Sequence, residues 1–264
     1  MAKKTVIILF FVILMFFNYK NKFIKIKQNA GKVWLFFLDL IFPKECSGCG
    51  REGVWLCQKC FSSVKLRQTQ FCLECKQETN FGKFCPRCAL NYNLDGTLIA
   101  CHYEQKIVEK MIETFKYSFV KDLYMDLGKL LSLFLNDLLN KKWQTFNVKK
   151  SLIMPVPLST FRKRWRGFNQ AEFLARLIAK NFNLDLSVNE LIRIKHIKPQ
   201  VKLNKAQREN NIKNCFNWNA CDLAGRQIIL IDDVATTGAT LNECAKVLKL
   251  HGAGKVWGLV LANG

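Results

Sequence analysis

The residues best suited to chemistry are two adjacent acids and the hydroxyl-rich turn that follows them. In residues 228–240, four apolar residues lead into Asp232 and Asp233, and the turn then reads Thr-Thr-Gly-Ala-Thr. Carboxylates at a strand end can accept hydrogen bonds from sugar hydroxyls, and the backbone N–H groups of a turn before a helix can bind a phosphate. The stretch therefore predicts a site that holds a ribose 5-phosphate at both ends. The alternative is a buried strand followed by a helix that Thr240 caps.

Cysteine pairs are the second group with a chemical pattern. Eight of the twelve cysteines form C-x-x-C pairs, namely Cys46/Cys49, Cys57/Cys60, Cys72/Cys75 and Cys85/Cys88. A two-residue gap lets both thiolates point at one metal, and two such pairs complete a tetrahedral zinc site. The pattern predicts a structural module with one or two zinc ions, whose cysteines pair either sequentially or in an interleaved order. Disulfides of a secreted domain and a catalytic redox pair are the alternatives.

A basic segment follows the strand predicted at residues 151–156. Four cations lie within five positions, and they are Arg162, Lys163, Arg164 and Arg166. Because guanidinium groups bind phosphate oxygens through paired hydrogen bonds, this segment could neutralise a pyrophosphate. A solvated basic loop is the alternative. A further polar segment, residues 198–212, has little apolar periodicity and is predicted to be a mobile lid.

The elements that must position these groups alternate along the chain. Apolar runs predict strands at residues 97–103, 151–156, 188–194, 228–231 and 256–261, and helical spacing predicts helices at 106–115, 122–139, 169–182 and 241–250. Strands that alternate with helices indicate an α/β fold in which helices cover both faces of a parallel sheet. Ligands of such sheets bind beyond the carboxyl ends of the strands, where residues 232–240 would lie.

Two resemblances sharpen this interpretation. Residues 228–240 resemble the signature of type I phosphoribosyltransferases, in which two acids contact the ribose and the turn surrounds its 5-phosphate. The cysteine module, R-G-F-N-Q at residues 166–170, P-Q-x-x-L-x-x-x-x-R-x-x-N at residues 199–211 and the signature occur in an order that resembles the ComF family of competence-associated proteins. The resemblance implies a zinc-binding module at residues 32–92 and a phosphoribosyltransferase-like domain at residues 93–264. The extension at residues 1–31 departs from the family pattern.

The resemblance also implies which residues bind phosphoribosyl pyrophosphate. The substrate-binding residues would be Leu158, Ser159, Asp232, Asp233, Ala235, Thr236, Thr237, Gly238, Ala239 and Thr240, with a lid at residues 200–208. Four of the charged residues are catalytic candidates, and they are Asp232, Asp233, Arg162 and Arg166. The acids would orient the ribose, the arginines would offset the charge of the leaving pyrophosphate, and Mg²⁺ would bridge its oxygens.

Two functions are consistent with these residues. The first is a phosphoribosyltransferase with an unidentified acceptor. The second is a non-catalytic module that binds single-stranded DNA or DNA-uptake proteins and keeps phosphoribosyl pyrophosphate as a ligand. The formal charge of +21 favours polyanionic partners such as nucleic acid or an anionic membrane. Three aromatic residues near basic segments could stack on bases, and they are Trp143, Trp165 and Phe168.

The N-terminal region carries an uncharged stretch, residues 5–17, between lysines. This stretch is shorter than the roughly 20 residues that span a bilayer, and no small-x-small cleavage site follows it. Two explanations remain, a membrane anchor in a locally thin bilayer or an upstream start codon that adds residues foreign to the fold. The family resemblance implies a cytoplasmic location, with the inner face of the membrane as the site of any anchor.

Overall fold

The structure is a computed structural model that describes residues 44–116, 122–140, 148–195 and 205–264. The chain divides into two units, residues 1–44 and 45–264, and the elements described below belong to the second. The uncharged stretch at residues 5–17, Trp143 and positions 200–204 of the predicted lid lie outside the described residues. Within the described ranges, no helix is long and apolar enough to cross a membrane.

Seven strands form one sheet and one hairpin in the described part of the chain. They are β1 (Gly96–His102), β2 (Leu152–Pro155), β3 (Asp185–Leu186), β4 (Leu191–Arg193), β5 (Phe216–Trp218), β6 (Ile228–Ala235) and β7 (Val256–Asn263). The sheet is entirely parallel and has the order β1-β7-β6-β2-β3. This confirms the predicted parallel α/β sheet. The strand predicted at residues 188–194 is shorter and lies outside it, in the antiparallel β4–β5 hairpin.

The described helices are α1 (Gln58–Ser63), α2 (Pro86–Ala89), α3 (Lys106–Phe115), α4 (Leu123–Asn140), α5 (Thr160–Arg166), α6 (Gln170–Phe182), α7 (Lys205–Ile212) and α8 (Ala239–Leu250). Short 3-10 turns lie at Asn80–Gly82 and Val148–Lys150. The expectation of a basic loop after β2 is wrong, because this segment is α5. Ser159 caps this helix by accepting from the N–H of Arg162, and Gly167 ends it in the left-handed region.

Helices pack on both faces of the sheet, as predicted. Ile229 and Ile231 of β6 join a first core with α3, α4 and α6. Ile228 and Leu230 point the other way and join a second core with α8 and the β4–β5 hairpin. Successive residues of a strand point to opposite faces, so a strand covered on both sides reads as a continuous apolar run. Burial of each such side chain contributes about 1.5–3 kcal/mol, which fixes the position of β6 in the sheet.

Two cysteine-rich segments join these cores separately. The first cysteine segment, residues 45–65, adds Cys46, Cys57 and Cys60 to the first core. The second cysteine segment, residues 70–94, adds Cys72, Cys85 and Cys88 to the second core. Both segments are continuous with the hydrophobic interior of residues 45–264, and the domain boundary at residues 92 and 93 stays a prediction.

Candidate active site and metal centres

The cysteine sulfurs converge in two groups of four. The groups are Cys46, Cys49, Cys57 and Cys60, and Cys72, Cys75, Cys85 and Cys88, and within each the Sγ atoms lie within 4.8 Å of one another. Pairing is therefore sequential rather than interleaved. All twelve cysteines are free, so the disulfide alternative is wrong. The Cys49–Cys57 and Cys75–Cys85 sulfurs are 3.7 Å apart, close to the roughly 3.8 Å edge of a zinc tetrahedron with bonds of about 2.3 Å.

The electrostatics of the first quartet favour a bound cation. Burial raises the pKa of Cys46, but the backbone N–H groups of Cys57, Cys49 and Gly48 outweigh it and hold this pKa at about 6. The neighbouring thiol of Cys57, followed by burial, raises the pKa of Cys60 to about 12. Four crowded thiols cannot all ionise beside one another unless a cation offsets their charge. The donor set therefore fits zinc, which thiolates bind preferentially.

A cavity of about 500 Å³ lies beyond the carboxyl ends of β2 and β6. All the residues predicted to bind substrate or act in catalysis line it, namely Leu158, Ser159, Arg162, Arg166, Asp232, Asp233, Ala235, Thr236, Thr237, Gly238, Ala239 and Thr240. Two segments distant in the sequence thus meet around one space, as the parallel sheet requires. The roles of these residues stay predictions.

The acid pair occupies the carboxyl-terminal half of β6, and both side chains are half-buried. Asp232 Oδ1 accepts from the N–H of Asp233, and Asp233 Oδ1 accepts from the N–H of Val234, each at 2.8 Å. Burial, followed by the adjacent charge of Asp233, raises the pKa of Asp232 well above its ordinary value. The charged form of Asp232 is therefore costly, and hydroxyl donors or a cation in the cavity would stabilise it.

The phosphate loop, residues 235–240, runs from β6 into α8. Gly238 is the N-cap of α8 at φ 73° and supplies no side-chain cap, so the alternative in which Thr240 caps this helix is wrong. The hydroxyl oxygen of Thr237 accepts from the N–H of Ala239 at 3.3 Å. The first N–H groups of a helix have no partner within it, and the helix dipole places positive charge there. The loop therefore offers an anion site at the cavity.

The R-G-F-N-Q segment fixes the basic side of the cavity. Asn169 caps α6 by accepting from the N–H of Ala171 at 3.2 Å, and its Nδ2 donates to the carbonyl of Val156 at 3.1 Å. Arg166 Nη1 donates to Gln170 Oε1 at 3.1 Å. Burial lowers the pKa of Arg166, whereas the facing charges of the acid pair raise it. Arg166 therefore lies where it can interact with both acids.

Sequence reasoning missed a third arginine of the cavity, Arg193 on β4. Its guanidinium carbon lies 5.6 Å from the ring centroid of Phe216, and its buried Nε atom has no hydrogen-bond partner among the described residues. Burial lowers the pKa of Arg193, and the nearby positive charge of Arg162 lowers it further. In the sequence, Arg193 is marked only as a cation inside the apolar run of residues 191–194. The guanidinium groups of Arg162 and Arg193 in one cavity suit a doubly charged anion.

Of the three aromatic residues predicted to stack on bases, the structure describes the side chain of Phe168 alone. Phe168 is buried, and its ring lies 5.8 Å from Phe115 and 5.3 Å from Phe173. The side chain of Trp165, like Trp143, lies outside what the structure describes. Phe161, which sequence reasoning passed over, is 62% exposed on α5.

Comparison with known proteins decides the family. Residues 37–90 match a family described as the double zinc ribbon domain. The chain is 31% identical to Competence protein F of Haemophilus influenzae over 224 residues, which cover 82% of this chain and 90% of that protein. The chain belongs to the ComF family. In this ComF-family protein, the ribbon match and the sulfur geometry together assign the two quartets as zinc ribbon sites.

More distant relatives cover much of the same chain. DNA utilization protein YhgH of Escherichia coli K12 is 26% identical over 76% of this chain and 93% of its own length. Competence protein ComFC of Bacillus subtilis is 26% identical over 73% of this chain and 77% of its own. A solved hypoxanthine phosphoribosyltransferase from Staphylococcus aureus aligns with 53% of this chain and 64% of its own, at 16% identity and a TM-score of 0.34.

Proposed function

We propose that this ComF-family protein binds phosphoribosyl pyrophosphate with Mg²⁺ in the cavity and transfers its ribose 5-phosphate to an unidentified acceptor during DNA uptake. The observation that carries the proposal is the convergence of the acid pair, the phosphate loop and three arginines on one space. Each part of the substrate then has a complementary group. We place the protein in the cytoplasm, where this phosphorylated metabolite is made.

In the proposed reaction, the bond between C1 of the ribose and the pyrophosphate oxygen breaks while an acceptor atom forms a bond to C1. The electron pair leaves with pyrophosphate, and the ribose acquires positive charge in the transition state. Asp232 and Asp233 hold the 2- and 3-hydroxyls, and the phosphate loop holds the 5-phosphate. Arg162, Arg166 and Arg193 offset the charge that develops on pyrophosphate. Positioning and charge stabilisation supply the catalysis.

The acid pair also fits a role near Mg²⁺. Hard divalent cations prefer carboxylate, hydroxyl and phosphate oxygens, and the cavity provides the carboxylates of Asp232 and Asp233 beside the space for the substrate. When bound, Mg²⁺ would neutralise part of the charge on pyrophosphate. The raised pKa of Asp232 shows that its ionised carboxylate is costly, and a bound cation would stabilise that ionised form.

Calorimetric titration of the full chain with phosphoribosyl pyrophosphate and Mg²⁺ tests the proposal. The zinc-loaded protein is expected to bind, and the double variant Asp232→Asn, Asp233→Asn is expected to lose at least about tenfold in affinity, or 1.4 kcal/mol. Asparagine keeps the size and one acceptor oxygen, but it replaces the other oxygen with an NH2 donor and removes the charge. If the folded, zinc-loaded wild type does not bind, the transferase proposal is wrong. Pyrophosphate release with a panel of nucleobases then tests turnover.

A second function is favoured by an exposed surface at the mouth of the cavity. Phe161 is 62% exposed on α5, and Arg162, Lys163 and Arg164 beside it are exposed as well. An aromatic ring among cations suits single-stranded nucleic acid, because bases stack on the ring and the cations contact phosphates. We propose that α5 contributes to binding of single-stranded DNA, with DNA-uptake proteins as further partners.

Fluorescence anisotropy with an oligo-dT strand separates the two functions. Phe161→Ala is expected to weaken DNA binding by about 1–3 kcal/mol, the range for one stacked base, without changing the affinity for phosphoribosyl pyrophosphate. Leu90→Ala is the control, because Leu90 is 88% exposed but lies in the second cysteine segment. Equal DNA affinity of both variants and the wild type would remove α5 from the DNA-binding surface.

A further inference from the structure

The second cysteine segment contacts the phosphate loop directly. Leu73 lies between two ligands of its quartet and is only 3% exposed. A Cβ atom built on Gly238 would lie 2.4 Å from Cδ2 of Leu73, and Gly238 also has φ 73°. Only glycine satisfies both the backbone conformation and the close approach. Leu73 therefore limits the space in which α8 can begin.

A second contact runs through Asn263 at the end of β7. Lys76 Nζ donates to Asn263 Oδ1 at 3.4 Å. Asn263 Nδ2 donates in turn to the carbonyl oxygens of Ala235 at 2.9 Å and Thr236 at 3.3 Å. These two carbonyls belong to the start of the phosphate loop. The second cysteine segment thus reaches this loop at Gly238 and, through Asn263, at Ala235 and Thr236.

Lys76 makes this contact from a strained backbone conformation. It has φ 62°, a region that L side chains rarely adopt. Such strain persists only where the surrounding structure determines it, and here the turn follows the Cys72–Cys75 pair directly. A glycine would be the natural residue at such a turn position, but a glycine could not reach Asn263.

A third contact ties the segment to the first turn of α8. Asn242 Oδ1 accepts from the backbone N–H groups of Asn93 at 2.7 Å and Leu94 at 3.2 Å. These residues follow the last cysteine of the quartet, Cys88. The phosphate loop and the start of its helix are therefore held by residues within the second quartet and by residues that follow it.

We propose that the second cysteine segment positions the phosphate loop, so that metal binding by its quartet raises the affinity for a phosphorylated ligand, while the first quartet has no such effect. Leu73 and Lys76 are positioning residues, since they act through Gly238 and Asn263. A loop aligned in advance avoids the entropy cost of ordering when the ligand binds. The ligand in this inference is that of the proposed function, on which the inference rests.

The first experiment compares two buried leucines, each next to a cysteine of one quartet. Leu73→Ala removes the contact with Gly238, and Leu56→Ala removes a similarly buried leucine beside Cys57 of the first quartet. Both variants keep all eight ligands. In the ligand-free full chain, amide hydrogen exchange of residues 235–242 is expected to accelerate about tenfold in Leu73→Ala and to stay unchanged in Leu56→Ala. Equal acceleration in both variants, or in neither, would overturn the inference.

The second experiment uses a variant in which stability and binding should move in opposite directions. Lys76→Gly relieves the strained φ but removes the contact with Asn263, so the melting temperature should hold or rise while the affinity for phosphoribosyl pyrophosphate falls about threefold to tenfold. Asn183→Gly is the control, because it relieves a positive φ of 50° at the end of α6. Unchanged affinity in Lys76→Gly would contradict the positioning role.

The two experiments also separate this inference from the proposed function. If the wild type binds no phosphoribosyl pyrophosphate, the proposed function fails, whereas the exchange rates of residues 235–242 still decide whether the second segment holds the loop. If the wild type binds but Leu73→Ala changes neither exchange nor affinity, the inference fails and the proposed function stands.

Discussion

The first turns of the two cysteine quartets share one hydrogen-bond pattern but carry different residues at the fifth position, Gly50 and Lys76. Cys46 donates its N–H to Arg51, and Cys72 donates to Gln77, each at 2.8 Å. The fifth residue of each turn donates back to the first cysteine carbonyl, at 2.9 Å from Gly50 and 3.0 Å from Lys76. Gly50 has φ 76° and Lys76 has φ 62°. The first quartet thus has glycine where the turn requires it, and the second keeps a strained lysine.

The surroundings of the quartets explain this difference. The first segment packs on the start of α3, where a Cβ on Gly48 would lie 3.1 Å from Ile107 Cδ1, and Lys65 and Gln105 exchange hydrogen bonds of 2.9 and 2.8 Å. Neither segment contributes a residue to the cavity lining, but the second segment contacts the phosphate loop through Leu73 and Gly238. The first zinc ribbon therefore has a structural role on one face of the sheet, whereas the second lies beside the candidate site on the other face.

The largest effect is expected when a methyl group is added to the glycine that contacts the second segment, Gly238, in comparison with Gly50 of the first segment. Gly238→Ala places Cβ against Leu73 and also strains φ, so the phosphate loop must move and binding of phosphoribosyl pyrophosphate should fall more than about a hundredfold, or 2.7 kcal/mol. Gly50 also has a positive φ, 76°, but in Gly50→Ala the added Cβ would have no atom within 4 Å. It should cost about 1–2 kcal/mol of stability and leave affinity unchanged.

Calorimetric titration and thermal unfolding of both glycine variants give the two readouts. Wild-type affinity in Gly238→Ala would show that Leu73 yields easily, and the contrast between the quartets would then lose its main support.

A chelator should remove zinc from the two quartets at different rates. Cys49 of the first quartet is exposed, whereas the described cysteines of the second are buried or half-buried, so a chelator should reach the first ion sooner. We expect two phases of zinc release, and we expect affinity for phosphoribosyl pyrophosphate to fall only with the second phase. A chromophoric chelator that reports release, with titrations at intermediate times, measures both. A loss of affinity in the first phase would reverse the assignment.

The sequence predicts the elements whose pattern is local. β6 and α8 follow from an apolar run and helical spacing, and the signature places Asp232 and Asp233 at the strand end. Arg193 was missed although its strand was predicted at residues 188–194, because a single cation in a short strand does not reveal that it faces the cavity. α5 was missed because its exposed basic residues resemble a loop. The contact of Leu73 with Gly238 joins segments far apart in the chain, and neither segment's composition signals it.

The smallest effect is expected in a comparison of melting temperatures between variants of two acids, Asp232 on one face of the sheet and Asp126 on the other. Asp232 follows Ile231 in β6, so it lies on the side of the second core, where burial and then the charge of Asp232 raise the pKa of Cys244. Because burial and Asp233 raise the pKa of Asp232 above its unfolded value near 3.9, the unfolded chain releases this proton first as pH rises, and stability falls up to the folded pKa.

Asp232→Asn should therefore melt higher than the wild type at pH 8, by roughly 2–4 °C per kcal/mol recovered, and the gain should be smaller at pH 5. Asp126→Asn on α4 is the control, because Asp126 pairs with Lys129 at 3.4 Å on the surface and such pairs contribute about 0–1 kcal/mol. Thermal unfolding without ligand measures both. A lower melting point for Asp232→Asn at pH 8 would show that Arg166 already compensates the charge, because asparagine would then remove a favourable ion pair rather than a costly, half-buried carboxylate.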